Sequence, residues 1–117
     1  MEEQQNFGLN EYQTETKRTM ASLSKEPLNL AIAGLGIAGE AGEVADYLKK
    51  VVGHGHELDK AKLCAELGDV LWYVSFIATL VDVPLAEIAQ QNVAKLRKRY
   101  PEGFESKRSI QRESEKV

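Results

Sequence analysis

Four acidic residues of the chain stand in two pairs that share one spacing. Glu40 and Glu43 form the first pair, and Glu66 and Asp69 form the second. Residues three positions apart on an α-helix project from the same side of that helix. Carboxylates in such pairs can bind hard divalent cations or accept a proton during hydrolysis. Which chemistry they offer depends on whether two helices bring the pairs together.

The apolar residues around each pair predict where the carboxylates point. At about 100° per residue, Glu40 lies roughly 50° from the centre of its helix's apolar arc and Glu43 roughly 110°. Glu66 and Asp69 repeat this design, at about 65° and 125° from the arc of their own helix. A single such pair is typical of a solvated helix face, but acids on a solvated face lie opposite the apolar arc. Two pairs at the edge of the arc favour a shared, half-buried pocket between antiparallel helices.

A pocket lined by four carboxylates needs protons or cations. Two like charges about 6 Å apart repel each other by roughly 3 kcal/mol at an effective dielectric constant near 20. Ligand sets made only of oxygen atoms select Mg²⁺ or Mn²⁺ over zinc or copper. The sequence therefore predicts a site for a hard divalent cation inside a helical bundle.

The elements that would position this site are all helical. No stretch alternates between apolar and polar residues with period two, so no sheet is expected. Prolines stand where helices should begin or end, and Gly53-His54-Gly55-His56 is the strong breaker in the middle of the chain. We predict an all-α fold with four helices, at about Leu9–Ala21, Leu28–Val52, Lys60–Val81 and Pro84–Tyr100. The tail after Phe104 is polar.

Length and charge set the class of protein. The 117 residues suit one domain, 1–117, with a polar tail at about 105–117. A single cysteine excludes an internal disulfide and fits a reducing compartment. The net charge of −3 argues against binding nucleic acid through bulk charge. With no apolar run of about 18 residues and no secretory signal, we expect a cytoplasmic protein without a membrane partner.

Three segments together carry a resemblance to a known family. GEAGEVADYLKK, AELGDVLWYV and NVAKLRKRYPEGF make the chain similar to the MazG-like, all-α nucleoside triphosphate pyrophosphohydrolases, relatives of dimeric dUTPases and dCTP pyrophosphatases. The family pattern is ExxE, a gap, and ExxD, and the gap here runs from residue 44 to residue 65. The resemblance covers about residues 9–112. It implies a four-helix MazG-like bundle that forms a homodimer or a tetramer of dimers.

The resemblance also implies an activity and roles for the four acids. The activity is Mg²⁺-dependent cleavage of an NTP or dNTP between the α- and β-phosphates, which yields a monophosphate and pyrophosphate. Glu40, Glu43, Glu66 and Asp69 then hold the metal, with Mg²⁺ or Mn²⁺ as the cofactor. A carboxylate that the metal does not saturate can take the proton of the attacking water. We favour Glu43 for this step, although the sequence does not separate it from Glu40 or Glu66.

Cationic residues of the fourth helix are candidate phosphate ligands. Lys95 and Arg99 stand four positions apart, and Asn92 precedes Lys95 by three. In the family a matching cluster reaches the substrate phosphates, and arginine can grip a phosphate with two hydrogen bonds. A helix C-terminus also favours cations through its dipole, which explains the same residues without a substrate.

Lys50 and Tyr73 are further candidates for substrate contact. Lys50 follows Glu43 by two helical turns, where it can bind phosphate or neutralise the acids. Tyr73 follows Asp69 by one turn, and by resemblance an aromatic residue here lines the base pocket. Packing in the core is the competing interpretation for Tyr73. Trp72 falls away from the apolar arc, so we expect it at an interface between subunits.

Two patterns resemble known motifs but lack their context. His54 and His56 with Cys64 do not match the spacing of a closed zinc site, and surface histidines in a turn are expected. The segment 34–39 reads GxGxxG, but it lies within a continuous helical pattern and no second strand follows. Because glycine disfavours a helix by about 1 kcal/mol relative to alanine, the repeated glycines indicate close approach by another helix or by a ligand.

The sequence thus predicts a pyrophosphohydrolase that removes unwanted nucleotides from the cellular pool. Two alternatives stay open. One is a nucleotide-binding protein without catalysis, and the other is a carboxylate-bridged bundle with two redox metals. The second alternative lacks the ExxH ligands that di-iron bundles carry.

Overall fold

The computed structural model describes residues 7–104, 106 and 110. Residues 7–104 contain four α-helices and one short 3₁₀ helix. Their bounds are α1, Leu9–Thr16; the 3₁₀ helix, Lys17–Thr19; α2, Pro27–Gly53; α3, Lys60–Leu80; and α4, Leu85–Arg99. The described residues form no strand, and an isolated bridge joins Pro101 and Gly103. The all-α prediction is confirmed for this part of the chain.

The helices begin where the sequence provides capping groups. Pro27 occupies the first turn of α2, where its missing N–H needs no partner. The Asp59 carboxylate accepts hydrogen bonds from the backbone N–H groups of Ala61 and Lys62 at 3.0 and 3.3 Å, which caps α3. The N–H of Leu85, at the start of α4, donates to the Gln13 side-chain oxygen at 2.7 Å. This last cap comes from a distant helix, so local sequence patterns do not predict it.

The first helix is shorter than predicted. It ends as an α-helix at Thr16 and continues as the 3₁₀ helix to Thr19 instead of reaching Ala21. The Thr16 hydroxyl donates to the carbonyl oxygen of Gln13 at 2.8 Å, and the Thr19 hydroxyl donates to that of Thr16 at 3.0 Å. Threonine hydroxyls that bond to nearby carbonyls compete with regular helical hydrogen bonds.

The chain divides into two compact units, Met1–Leu85 and Ala86–Val117. The first unit contains α1, α2 and α3, and the second contains most of α4. In the first unit α3 packs against both other helices. The polar tail predicted at about 105–117 lies outside the described residues except for residues 106 and 110.

The core of the first unit lies along α3. Ala33, Phe76 and Leu80 are buried together. Trp72 packs against this cluster, and its indole N–H donates to the Thr19 hydroxyl at 2.8 Å. The prediction that Trp72 lies away from the core is therefore wrong. The predicted apolar arc allowed for one neighbouring helix, whereas α3 has a second neighbour in the α1 segment.

Among the described helices, α3 alone has the length and apolar composition of a membrane-crossing helix. Core helices of soluble proteins meet the same criterion.

Two polar side chains in the apolar half of α3 form hydrogen bonds with α1. Ser75 is fully buried with its hydroxyl 2.7 Å from that of Thr16, and the Thr79 hydroxyl accepts from Gln13 at 3.2 Å.

Candidate metal and nucleotide site

Helices α2 and α3 pack side by side and run in opposite directions. The Lys62 ammonium near the start of α3 lies 5.0 Å from the centre of the Tyr47 ring, toward the end of α2. At the other end of the pair, Phe76 near the end of α3 is buried with Ala33 near the start of α2. The segments that carry the acidic residues lie between these two contacts. Antiparallel packing, which the sequence predicted for these helices, brings the two acidic pairs to the same level.

Three of the four acids converge. Ligand oxygens of Glu40, Glu66 and Asp69 all lie within 4.8 Å of one another. Glu40 and Glu66 are half-buried, whereas Glu43 and Asp69 are exposed. This order of burial is the one that the helical angles predicted. The three residues are the one group of potential metal ligands that the described part of the chain brings together.

The electrostatics of the cluster are those of crowded negative charges. The pKa of Glu40 is raised above its usual value of 4.5, first by partial burial and then by the charges of Asp69, Glu66 and Glu43. Burial and like charges both disfavour an ionised carboxyl group. A divalent cation would relieve this repulsion.

The donor set fits a hard cation. All of its ligand atoms are carboxylate oxygens, which Mg²⁺ prefers. Two oxygens that share one Mg²⁺ lie at most about 4.2 Å apart, which is twice the usual metal–oxygen distance. The ligand oxygens of the three residues lie within 4.8 Å of one another, which is close to this distance. Glu40, Glu66 and Asp69 could therefore hold the metal after a small closing movement.

Glu43 stands apart from this cluster. It follows Glu40 by one turn of α2 and is exposed. The negative charge of Glu43 raises the pKa of Glu40 and also the pKa of Lys50. Glu43 is therefore close enough to interact with both residues. The structure thus gives Glu43 a position beside the potential ligands rather than among them.

Lys50 is held by a partner that the sequence interpretation missed. Its ammonium lies 2.8 Å from a carboxylate oxygen of Asp46, one turn earlier on α2. This hydrogen bond and the Asp46 charge raise the pKa of Lys50, and the Glu43 charge adds to the effect. The same ammonium holds the pKa of Asp46 below its usual value. The spacing of an aspartate four positions before a lysine could have predicted the pair.

Two aromatic side chains lie near the acids. Tyr73 is half-buried one turn after Asp69, and its ring contacts the backbone of α2 at Gly36. Tyr12 of α1 is the second aromatic side chain. Partial burial, and then the negative charge of Asp69, raise the pKa of its hydroxyl, so this hydroxyl lies near the acids. Sequence reasoning missed Tyr12, since no local pattern relates α1 to the middle of α3.

The remaining candidates, Asn92, Lys95 and Arg99, lie on α4 in the second unit. Asn92 and Lys95 are exposed and line one shallow depression together with Ile88 and Gln91. Arg99 is half-buried. Contact of these three residues with phosphate stays a prediction.

The structure also describes the residues of the two partial motifs. His54, His56 and Cys64 are exposed and belong to no group of potential metal ligands among the described residues. The GxGxxG segment lies entirely within α2. Of its glycines, Gly36 is the one that another helix of the first unit approaches closely.

An antiparallel helix pair that brings carboxylates from both helices together is typical of all-α bundles with metal sites. Comparison with known proteins identifies its family. Residues 31–104 match the sequence profile of the MazG nucleotide pyrophosphohydrolase domain, so the chain belongs to that family. The Gene 37 protein of Mycobacterium phage L5 is 40% identical over 78 residues, which cover 63% of this chain and 68% of that protein. No solved structure matches the chain significantly.

The raised pKa of Glu40 predicts how stability depends on pH when EDTA removes divalent cations. The folded state binds the Glu40 proton more tightly than the unfolded state does. The free energy of unfolding should therefore fall as the pH rises from the usual carboxyl pKa through the raised one. Above that window Glu40 destabilises the fold, so Glu40→Gln should melt at a higher temperature than the unmodified chain.

Thermal melts in EDTA from acidic to neutral pH measure this effect. The difference between Glu40→Gln and the unmodified chain should shrink as the pH falls, while the exposed control Glu57→Gln should show no such trend. A Glu40→Gln variant that melts below the unmodified chain at neutral pH in EDTA would contradict the prediction.

Proposed function

We propose that the protein hydrolyses nucleoside or deoxynucleoside triphosphates between the α- and β-phosphates, with Mg²⁺ or Mn²⁺ as the cofactor. Water attacks the α-phosphorus, the bond from that phosphorus to the bridging oxygen breaks, and pyrophosphate leaves. The observation that carries the proposal is the convergence of Glu40, Glu66 and Asp69 within 4.8 Å in a chain of the MazG family.

Charge explains why the cofactor is required. Like charges that lie within 4.8 Å of one another repel each other. A triphosphate brings further negative charges to these carboxylates, so it binds only with bridging cations. When bound, the metal neutralises phosphoryl oxygens and lowers the pKa of the attacking water.

Glu43 is the group that we assign to proton transfer. Its carboxylate is exposed and lies outside the cluster of Glu40, Glu66 and Asp69, so its oxygens stay available to a water molecule. A general base must also be able to accept the proton of the attacking water, which a carboxylate can do. The resemblance to the family implies a metal-ligand role for Glu43 instead, and the Mg²⁺ dependence of a Glu43→Gln variant distinguishes the two roles.

The order of groups along α2 and α3 suggests the orientation of the substrate. Tyr73 lies one helical turn to one side of the acids, on the level of Gly36. Lys50 lies on the other side, and Asp46 draws its ammonium back toward Glu43. We assign the base to the Tyr73 side and the phosphates to the Lys50 side. Asn92, Lys95 and Arg99 are proposed as further phosphate ligands.

A panel of NTPs and dNTPs, incubated with Mg²⁺ in water labelled with ¹⁸O, tests the reaction. We expect pyrophosphate and a labelled nucleoside monophosphate, and no product when EDTA is present. Release of orthophosphate, or label in the pyrophosphate, would contradict attack at the α-phosphorus. Binding of the substrate without any product would favour the catalytically silent alternative instead.

Partners and cellular role follow as proposals. Leu28, Ile32 and Leu35 form an apolar stripe on α2 in which each residue is about half exposed or more. Such a stripe supports association with a second copy, as a homodimer or a tetramer of dimers. Removal of unwanted nucleotides in the cytoplasm is the role that suits the proposed reaction, with no need for nucleic acid or a membrane.

A further inference from the structure

Gly36 is the point at which α3 touches the backbone of α2. A Cβ atom added there would overlap the Tyr73 ring at Cδ1, Cε1 and Cζ. The neighbouring glycines of α2 differ, because a Cβ at Gly34, Gly39 or Gly42 would meet no described atom within 4 Å. The need for glycine at position 36 is therefore specific to this ring.

The contact lies next to the acid cluster on both helices. Gly36 precedes Glu40 by one turn of α2, and Tyr73 follows Asp69 by one turn of α3. One turn of an α-helix rises about 5.4 Å. The ring is thus one turn from the level of the acids, where the base of a bound nucleotide would lie.

Other aromatic residues limit the positions that the ring can take. Its centre lies 5.0 Å from that of Trp72, in an edge-to-face arrangement, and 6.4 Å from that of Phe76. No described residue hydrogen-bonds to the Tyr73 hydroxyl, so packing alone sets the position of the ring. A side chain at position 36 would push the ring away from α2, and Trp72 and Phe76 restrict the directions in which it can move.

We propose that Gly36 is a specificity-determining residue, because the space left by its missing side chain fixes how deeply the Tyr73 ring lies and hence how much room a base has. This inference rests on the proposed function, and it assigns part of the protein's selectivity between bases to Gly36. With a methyl group at position 36, the ring enters the base subsite. A purine, which needs more room than a pyrimidine, then loses more of its transition-state binding.

Gly36→Ala and Gly34→Ala form a matched pair for the test. Both replace a glycine of the same helix by alanine and raise helix propensity equally, but only the first displaces the ring. We expect the ratio of kcat/KM for purine over pyrimidine triphosphates to fall about tenfold in Gly36→Ala, in the range that one methylene group produces in a tight pocket. In Gly34→Ala the ratio should stay within about twofold of the original.

Two further measurements separate ring displacement from a general disturbance. The Tyr73→Ala background lacks the ring, so adding Gly36→Ala to it should leave the ratio unchanged. Trp72 is the single tryptophan of the chain and lies beside the ring, so its fluorescence reports the displacement without any activity. Its emission should change in Gly36→Ala and not in Gly34→Ala.

The outcomes distinguish this inference from the proposed function. An unchanged ratio in an active, folded Gly36→Ala variant overturns the role of Gly36 and leaves pyrophosphohydrolysis intact. If the unmodified chain releases no pyrophosphate, the proposed function fails. The role of Gly36 is then tested by the ratio of purine to pyrimidine nucleotide affinities, measured by quenching of Trp72 fluorescence. If Gly36→Ala does not fold, Tyr73→Leu must raise the ratio by enlarging the subsite, and a fall or no change overturns the inference.

Discussion

Replacing Glu43 by glutamine should lower kcat for pyrophosphate release by about 10³-fold, within the range of contributions from general bases. Glutamine keeps the size of the side chain and removes its ability to take a proton. Because Glu43 lies outside the cluster of Glu40, Glu66 and Asp69, the concentration of Mg²⁺ that gives half-maximal rate should change little. Steady-state kinetics at several Mg²⁺ concentrations measure both quantities.

Glu66→Gln provides the contrast, since Glu66 is half-buried within the cluster. In this variant the rate should also fall, but the Mg²⁺ concentration for half-maximal rate should rise at least about tenfold, as loss of a ligand requires. Glu57→Gln, in the exposed connection between α2 and α3, serves as the control with unchanged kinetics. A Glu43→Gln variant with full activity would exclude Glu43 as the base and redirect the assignment to the clustered acids.

Saturating Mg²⁺ should raise the melting temperature by about 10 °C, the second large effect that we expect. A ligand at about 100 times its Kd adds roughly 2.7 kcal/mol to the free energy of unfolding. In a domain of this size each kcal/mol corresponds to about 4 °C. The cation binds carboxylates that repel one another in the folded state, so the gain requires the intact cluster.

Calorimetry of the unmodified chain and of Glu40→Gln, with MgCl₂ and with NaCl at equal ionic strength, checks this result. The variant should gain less than half of the shift, and NaCl should give little shift in either protein because screening alone does not bridge the carboxylates. Equal Mg²⁺ shifts in both proteins would show that the cation binds elsewhere.

Much of the fold could be predicted because its signals are local. The bounds of α2, α3 and α4 differ from the predicted ones by about one residue, since prolines, a glycine-rich breaker and an aspartate cap mark the ends. The order of burial within the acidic pairs was likewise predictable from helical angles. The first helix was predicted too long because hydrogen bonds from two threonine side chains end it early.

Other features depended on contacts between distant parts of the chain. Trp72 was placed away from the core because its angle on α3 was judged against one neighbouring helix, but α3 packs against two, and the role of Trp72 at an interface stays a prediction. The resemblance to the family implied a metal-binding role for all four acids of the motif. In the structure Glu43 separates from the other three, because it projects from α2 one turn beyond the level at which the cluster forms.

The sequence by itself determined the helices, the family and the two acidic pairs, because helical periodicity and caps act over a few residues. The tertiary structure decided which acids meet, that Tyr12 lies near Asp69 and that Tyr73 rests on Gly36. Most of these depend on the register and spacing of helices that are far apart in the chain. Interhelical packing sets that register, and no local pattern encodes it.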